Sequence, residues 1–230
     1  MKLLVIIPAY NEESNIDKVI SNLKDNFSNY SDFGYVIIND GSTDNTKELL
    51  DEKKYNHIDL PCNMGLSCAM QLGYKYGYEN NYDCAIQFDG DGQHQANYIK
   101  YMLVKIQEGY DIVIGSRFVH QKKNRSLRML GSRIITLLIR LVTGQYIADP
   151  TSGMRMLNRR EMYEFAYNMN YKPEPDSLTK EILNGKKIIE IPVEMQERTA
   201  GSSIYGGLLN AAKYMISMTI SILLIRDKKA

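Results

Sequence analysis

Short apolar runs alternating with helix-spaced segments make up the first half of the chain. "LLVIIP" at positions 3–8 has no polar gap, the pattern of a strand buried on both faces. Positions 13–26 then put Ile16, Val19, Ile20 and Leu23 on one face of a helix. "YVIIND" (35–40) predicts a second strand, followed by a helix to about Lys54 with Ser42 or Asp44 as N-cap. A short strand near "IDL" (58–60) and a helix over 65–78 come next. "DCAIQF" (83–88) and "DIVIGS" (111–116) predict two further strands with a helix near 96–108 between them. Such alternation predicts an α/β fold, a mostly parallel central sheet with helices on both faces.

The pattern changes in the second half. Positions 124–144 form a basic helix with a polar stripe of Arg128, Ser132, Arg133, Thr136 and Arg140. Its other face carries Leu127, Leu130, Ile134, Leu138 and Leu141. "YIADPTSGMRML" reads as a loop, followed by a helix near 159–167, an acidic turn "KPEPD" and a helix over 177–184. A strand "KIIEIPVEM" (187–195), a loop "QERTAGSSIYGG" and a last helix from about Leu208 complete the chain. With no internal repeat or low-complexity linker, a single domain over 1–230 is the economical reading.

That last helix places Leu208, Leu209, Ala212, Met215, Ile216, Ile220 and Leu223 on one face and Asn210, Lys213, Ser217 and Ser221 on another. Its uncharged run, Tyr214 to Ile225, falls short of the roughly 20 apolar residues of a membrane span. Two readings fit: an amphipathic helix lying in a membrane interface, capped by Arg226, Lys228 and Lys229, or a core helix closing the domain.

Bulk composition narrows the classes. The 230 residues are 44% hydrophobic and 24% charged, an ordinary globular balance. A net charge of +1 argues against a nucleic-acid partner bound by bulk electrostatics. Cys62, Cys68 and Cys84 fit no zinc spacing, and an odd count argues against a full disulfide set, so a reducing, cytosolic compartment is expected. The opening apolar run ends in Pro-Ala-Tyr-Asn-Glu and is too short for a signal peptide.

Chemistry concentrates in "AIQFDGDGQHQ" (85–95), where Asp89 and Asp91 follow an apolar run. A calcium loop would need Gly at its sixth place and Glu at its twelfth, and His94 and Lys100 stand there instead. Two readings remain: a solvated Asp/Gly turn, or a hard-cation site in which one or two carboxylates and a substrate's phosphates share Mg²⁺ or Mn²⁺. Ligands of open α/β sheets bind beyond the carboxyl ends of strands. Asp40, Asp89 and Asp91 all fall at such ends, so they can converge.

"VIIPAYNEE", "VIINDGSTDNT", "NMGLSCAMQLG", "FDGDGQH", "GSRF", "DPTSGMR" and "RTAGSS" occur in this order. Together they resemble the family 2 glycosyltransferases, in particular the dolichol- and undecaprenyl-phosphate sugar transferases, over nearly the whole chain. The resemblance implies a GT-A fold, with a nucleotide-binding half (1–118), an acceptor half and closing loop (119–205) and a membrane-interface helix (206–230). It implies metal-dependent transfer, with inversion, from a UDP- or GDP-sugar to a polyprenyl phosphate. The alternatives are transfer to a hydroxyl of a cell-wall or capsular glycan, and a nucleotide-sugar binding module without turnover.

Carried over residue by residue, the resemblance puts Pro8, Tyr10, Glu12, Asp40 and Gly65 at the nucleoside. Many relatives have a second acid where Asn39 stands here, which leaves the base open. Asp89, Asp91 and Gln93 match the site for Mg²⁺ or Mn²⁺ and the diphosphate. Arg198 and Ser202 match a loop closing over that diphosphate, and Arg117 a position near the reacting centre. For the acceptor, Arg117 and Arg128, with Arg133 nearby, suit a phosphate that is already anionic; Asp149, Glu174 or Asp176 suits a hydroxyl that needs a base. His94 either bonds a phosphate or caps a helix, and Arg159 and Arg160 read as surface charges. Many such transferases carry C-terminal transmembrane helices. The expectation here is peripheral attachment to the cytoplasmic face of the cell membrane, secured by a small membrane-protein partner or by self-association.

Overall fold

The computed structural model describes residues 1–121, 123, 127–168, 174–195 and 208–227. Seven strands form one sheet: β1 (Leu3–Ala9), β2 (Phe33–Asn39), β3 (His57–Asp59), β4 (Cys84–Gln87), β5 (Ile112–Ser116), β6 (Arg155–Asn158) and β7 (Ile188–Pro192). Their order is β3-β2-β1-β4-β6-β5-β7. Every pairing is parallel except those of β6, which runs antiparallel between β4 and β5. The mostly parallel sheet expected from the alternation is present.

Side chains alternate across a strand, so each strand feeds both faces of the sheet. Leu3, Val5 and Ile7 pack on one side with Ile16, Ile20 and Leu23 of α1 (Ile16–Phe27) and Ile99 and Met102 of α4 (Ile99–Gln107). Leu50 of α2 (Thr46–Glu52) joins that layer. Leu4 and Ile6 pack on the other side with Met70 and Tyr74 of α3 (Leu66–Glu79) and Ile135 and Ile139 of α5 (Leu127–Thr143). Met162 of α6 (Arg159–Tyr163), Leu178 of α7 (Pro175–Leu183) and Ile222 of α8 (Leu208–Asp227) complete this second layer. Burying each such side chain contributes about 1.5–3 kcal/mol relative to leaving it in water.

Three expectations need correction. "GMRML" is not loop: its last residues form β6, with Met156 opposite Ile86 and Leu157 opposite Ala85. Four residues with a buried arginine among them give no legible alternation. The stripes of α5 are also partly reversed, although Arg133 and Arg140 are exposed as expected. Ser132 and Thr136 are buried, their hydroxyls accepting hydrogen bonds from Lys123 Nζ (2.7 and 3.1 Å), while Leu130, Ile134, Leu137 and Leu141 are 44–67% exposed. Packing against α8 sets this rotation: a Cβ at Gly131 would lie 2.5 Å from Met215 Sδ. On α8, Met218 and Ile222 point inward, whereas Ile216, Ile220, Leu223 and Leu224 are exposed. Ser221, expected on the water face, instead donates to Asp176 Oδ2 (2.7 Å).

Candidate active site

The carboxyl ends of β1, β2, β4 and β5 open onto one edge of the sheet, and the antiparallel β6 begins at that same edge. Pro8 is the penultimate residue of β1, and Tyr10, just beyond it, is 44% exposed. Glu12 donates its N–H to Thr46 Oγ1 (2.9 Å), and its Oε2 accepts from Asn15 Nδ2 (2.7 Å). Asn11 Oδ1 accepts from the Thr43 N–H (2.8 Å), which ties the loop after β1 to the one after β2. Asp40 is buried, and its two oxygens accept from the N–H groups of Met64 (2.7 Å) and Gly65 (2.9 Å). Gly65 stands at the start of α3 with φ +87. Asn39 Nδ2 donates to Asp59 Oδ1 (2.7 Å), and its Oδ1 accepts from Ser42 Oγ (2.6 Å). These side chains brace one another into a wall at this edge of the sheet.

Asp89 and Asp91 follow β4 directly. Asp89 Oδ1 accepts from Gln87 Nε2 (3.0 Å), and the Asp89 N–H donates to His94 Nδ1 (2.9 Å), so neutral His94 carries its proton on Nε2, 3.5 Å from Asp89 Oδ2. His94 thus braces the turn. Asp91 is buried, and its Oδ1 accepts from the Gln93 N–H (3.0 Å). Two glycines keep this turn open and close to β1. A Cβ at Gly90 would meet Pro8 O at 3.0 Å, and one at Gly153 would come within 3.3 Å of Asp89 Oδ2. Among the described residues no group of three or more His, Cys, Asp or Glu could hold a metal ion alone. Two carboxylates alone instead suit a hard cation whose remaining ligands come from a diphosphate and water.

Arg117 leaves the end of β5 and is gripped by Asp149, which is fully buried: Nε to Oδ2 at 2.7 Å and Nη2 to Oδ1 at 2.9 Å. Burial pulls the guanidinium pKa down, but the hydrogen bonds and charge of Asp149 outweigh it and leave it raised. Beyond Arg117 lies a cavity of about 740 Å³ between the loop after β5 and α5. Phe118, Val119, Leu137 and Tyr146 give it apolar walls, and Lys123, Arg133 and Arg140 give it cations. Among the described residues none of those three cations is in an ion pair with a carboxylate. Burial lowers the Lys123 pKa, while the charges of Asp149 and Glu190 work against that shift.

Asp176 is buried under α8, accepting from Ser221 Oγ and, at 2.8 Å, from the Ser177 N–H. Glu174 Oε2 accepts a short hydrogen bond from Tyr214 of α8. Arg159 is not a plain surface charge, because its guanidinium donates to Tyr82 O (2.8 Å) and stacks on Tyr78. Arg128 lies on α5 with its side chain outside the description, and Arg198, Gly201, Ser202 and Pro173 lie outside the described residues. Lys123 and Glu190 escaped the sequence reading, since nothing in their immediate neighbourhood carries a motif.

Comparison with known proteins fits this layout. Residues 4–164 match the profile of glycosyl transferase family 2. The chain belongs to that family. It is a glycosyltransferase with a GT-A fold. It is 28% identical to polyprenol monophosphomannose synthase of Mycolicibacterium smegmatis, over 90% of this chain and 82% of that one. It is 30% identical to UDP-N-acetylglucosamine–dolichyl-phosphate N-acetylglucosaminyltransferase of Methanococcus voltae, over 84% of each. The fold also matches glucosyl-3-phosphoglycerate synthase from Mycobacterium tuberculosis, solved with Mn²⁺, UDP and phosphoglyceric acid. That match has a TM-score of 0.68 at 16% identity and covers 98% of this chain and 78% of that one.

Proposed function

We propose that this glycosyltransferase moves a sugar from a UDP- or GDP-sugar to a polyprenyl phosphate, with inversion, supplying a lipid-linked monosaccharide for cell-surface glycan synthesis. The observation that carries the reading is the cavity beside Arg117, which sets cations with no carboxylate partner among the described residues against apolar walls. A phosphate on an aliphatic chain matches both. The names of the relatives from Mycolicibacterium smegmatis and Methanococcus voltae support the same acceptor class. They differ in the sugar, which stays open here.

In this scheme Pro8, Tyr10, Glu12, Asp40 and Gly65 line the nucleoside, and Asp89, Asp91 and Gln93 hold Mg²⁺ or Mn²⁺ against the diphosphate. When bound, that cation neutralises charge developing on the leaving diphosphate. Arg117 offers its remaining N–H groups to a phosphate oxygen as preorganised, charge-assisted donors. Arg128, Lys123, Arg133 and Arg140 hold the acceptor phosphate, which attacks as an anion and needs no strong base. The burial of Asp176 under α8 speaks against a hydroxyl acceptor using it as base. Arg198 and Ser202 are assigned to closing over the diphosphate.

Residues 1–118 then form the donor half, 119–205 the acceptor half and 206–230 the interface helix. Among the described residues no helix is long and apolar enough to cross a membrane. The exposed stripes of α5 and α8 support peripheral attachment, assigned to the cytoplasmic face, with a small membrane partner or self-association strengthening it. The test incubates radiolabelled nucleotide sugars with Mg²⁺ or Mn²⁺ and undecaprenyl phosphate and then extracts with organic solvent. Label in the lipid phase is expected. Label only on glycan, or tight nucleotide binding without turnover, would overturn the reading.

A further inference from the structure

We infer that Glu190 is a positioning residue, acting on Arg117 through Asp149; this rests on the role proposed above for Arg117. Glu190 sits in the middle of β7, opposite Ile114 of β5. Its carboxylate faces the turn before β6 and accepts two backbone N–H groups, from Ala148 to Oε2 (2.6 Å) and from Asp149 to Oε1 (2.7 Å). That pair of bonds fixes the backbone from which the Asp149 side chain departs. Asp149 then takes three donors of Arg117: Nε, Nη2 and, at 3.2 Å, the backbone N–H. Thr151 Oγ1 donates to Asp149 Oδ1 at 3.3 Å.

A guanidinium is a rigid plane with five N–H donors. With Nε and one edge of Nη2 committed to Asp149, the remaining donors, on Nη1 and the outer side of Nη2, must face away from that carboxylate. The orientation of the free edge is therefore set at one remove, through Asp149, by a glutamate on a different strand. Only a carboxylate suits position 190. An amide there turns an NH₂ toward one of two backbone N–H groups, and an alanine leaves both buried donors short of an acceptor. Two carboxylates behind one arginine also give Lys123 a reason to remain nearby, since it feels the charge of both.

The experiment is a double-mutant cycle on the full chain, with activity measured as label transferred to undecaprenyl phosphate. Glu190→Gln is expected to lower kcat about 10- to 100-fold, the scale of a roughly 1 Å misplacement, with the KM for the nucleotide sugar unchanged. In an Arg117→Lys background, which keeps the charge but loses the fork, the same change is expected to cost less than about threefold, because coupled residues are non-additive. Equal losses in both backgrounds, or a raised donor KM, would mean a merely structural role and overturn the inference. If Glu190→Gln does not fold, Glu190→Asp enters the same cycle.

A second readout does not depend on the acceptor. The Arg117 Nε–H signal in ¹⁵N NMR is expected to exchange with solvent slowly in the wild type and at least about tenfold faster in Glu190→Gln, following loss of a buried, charge-assisted bond. Unchanged exchange would overturn the relay. Absent lipid labelling by the wild type with changed exchange would overturn only the acceptor reading.

Discussion

Around the ends of β1, β2 and β4 the polar side chains answer one another, whereas around α5 they do not. Asp40 takes two backbone N–H groups, Asn39 is engaged with Asp59 and Ser42, and Asp89 is braced by Gln87. Near α5, Lys123 has two hydroxyls but no carboxylate partner among the described residues, and four large apolar side chains of one stripe face water. The first region suits the small, highly charged ligand proposed for it, because low-dielectric walls with fixed dipoles need no rearrangement when charge arrives. The second has costs left open: a half-buried ammonium with no carboxylate in contact among the described residues, and apolar area in water. An amphiphile relieves both at once, its phosphate at the cations and its chain over the leucines. In the reaction proposed above, the contrast is between a donor side finished by the protein and an acceptor side that its ligand would finish.

The largest effect expected from breaking this contrast is on the donor side. Asp91→Ala should reduce turnover on the order of 10³-fold, with the melting temperature nearly unchanged; normal rates would show the cation placed wrongly. Next, Lys123→Met should raise the KM for the lipid phosphate about tenfold or more, as befits a lost hydrogen bond to a charged group, and leave nucleotide binding alone. Isothermal titration with UDP and GDP checks the second half of that statement. A smaller effect is expected from Leu137→Ser with Ile220→Ser. Vesicle sedimentation should show membrane binding weakened by about tenfold or more, since each buried aliphatic side chain is worth about 1.5–3 kcal/mol. Equal binding by the double variant would detach the exposed stripes from any membrane role.

The smallest expected effect concerns stability around α7. Glu181 is buried near Glu161, whose Oε1 accepts from Lys186 Nζ. Burial first, and the neighbouring Glu161 charge second, push the Glu181 pKa up to about 7. A carboxyl raised in the folded state binds more protons there than in the unfolded chain, so its contribution to stability is present below about pH 4.3 and is lost as pH rises through about 7. Glu181→Gln mimics the protonated form. It should therefore raise the melting temperature at pH 8 by about 2–4 °C for each kcal/mol recovered, with little difference at pH 5. Calorimetry at the two pH values decides it, and an equal shift at both would refute the assignment.

The same contrast explains what could be read from the sequence. The strands β1, β2, β4 and β5 are unbroken apolar runs, and the position of an aspartate after such a run places it at the sheet edge by topology alone. Asp40, Asp89 and Asp91 could be put together that way. β6 could not, because it opens on Arg155, whose burial is satisfied by backbone carbonyls of Pro150, Ser152 and Glu174 from outside the strand. Helical spacing gave the right length for α5 but the wrong inward face. A serine and a threonine are buried there only because Lys123 reaches them, and leucines are exposed because α8 occupies the other side. Glu190 was invisible for a related reason: its partners are main-chain N–H groups, which every residue carries.

In the proposed reaction Asp89 and Asp91 would hold a divalent cation against the leaving diphosphate. Crystals grown with Mn²⁺ and UDP or GDP, with data collected at the manganese edge, test it most directly. The account predicts an anomalous peak touching Asp91 and both phosphates, with Asp89 on the same side. A bound nucleotide whose phosphates sit away from these aspartates, with no peak between them, would contradict it.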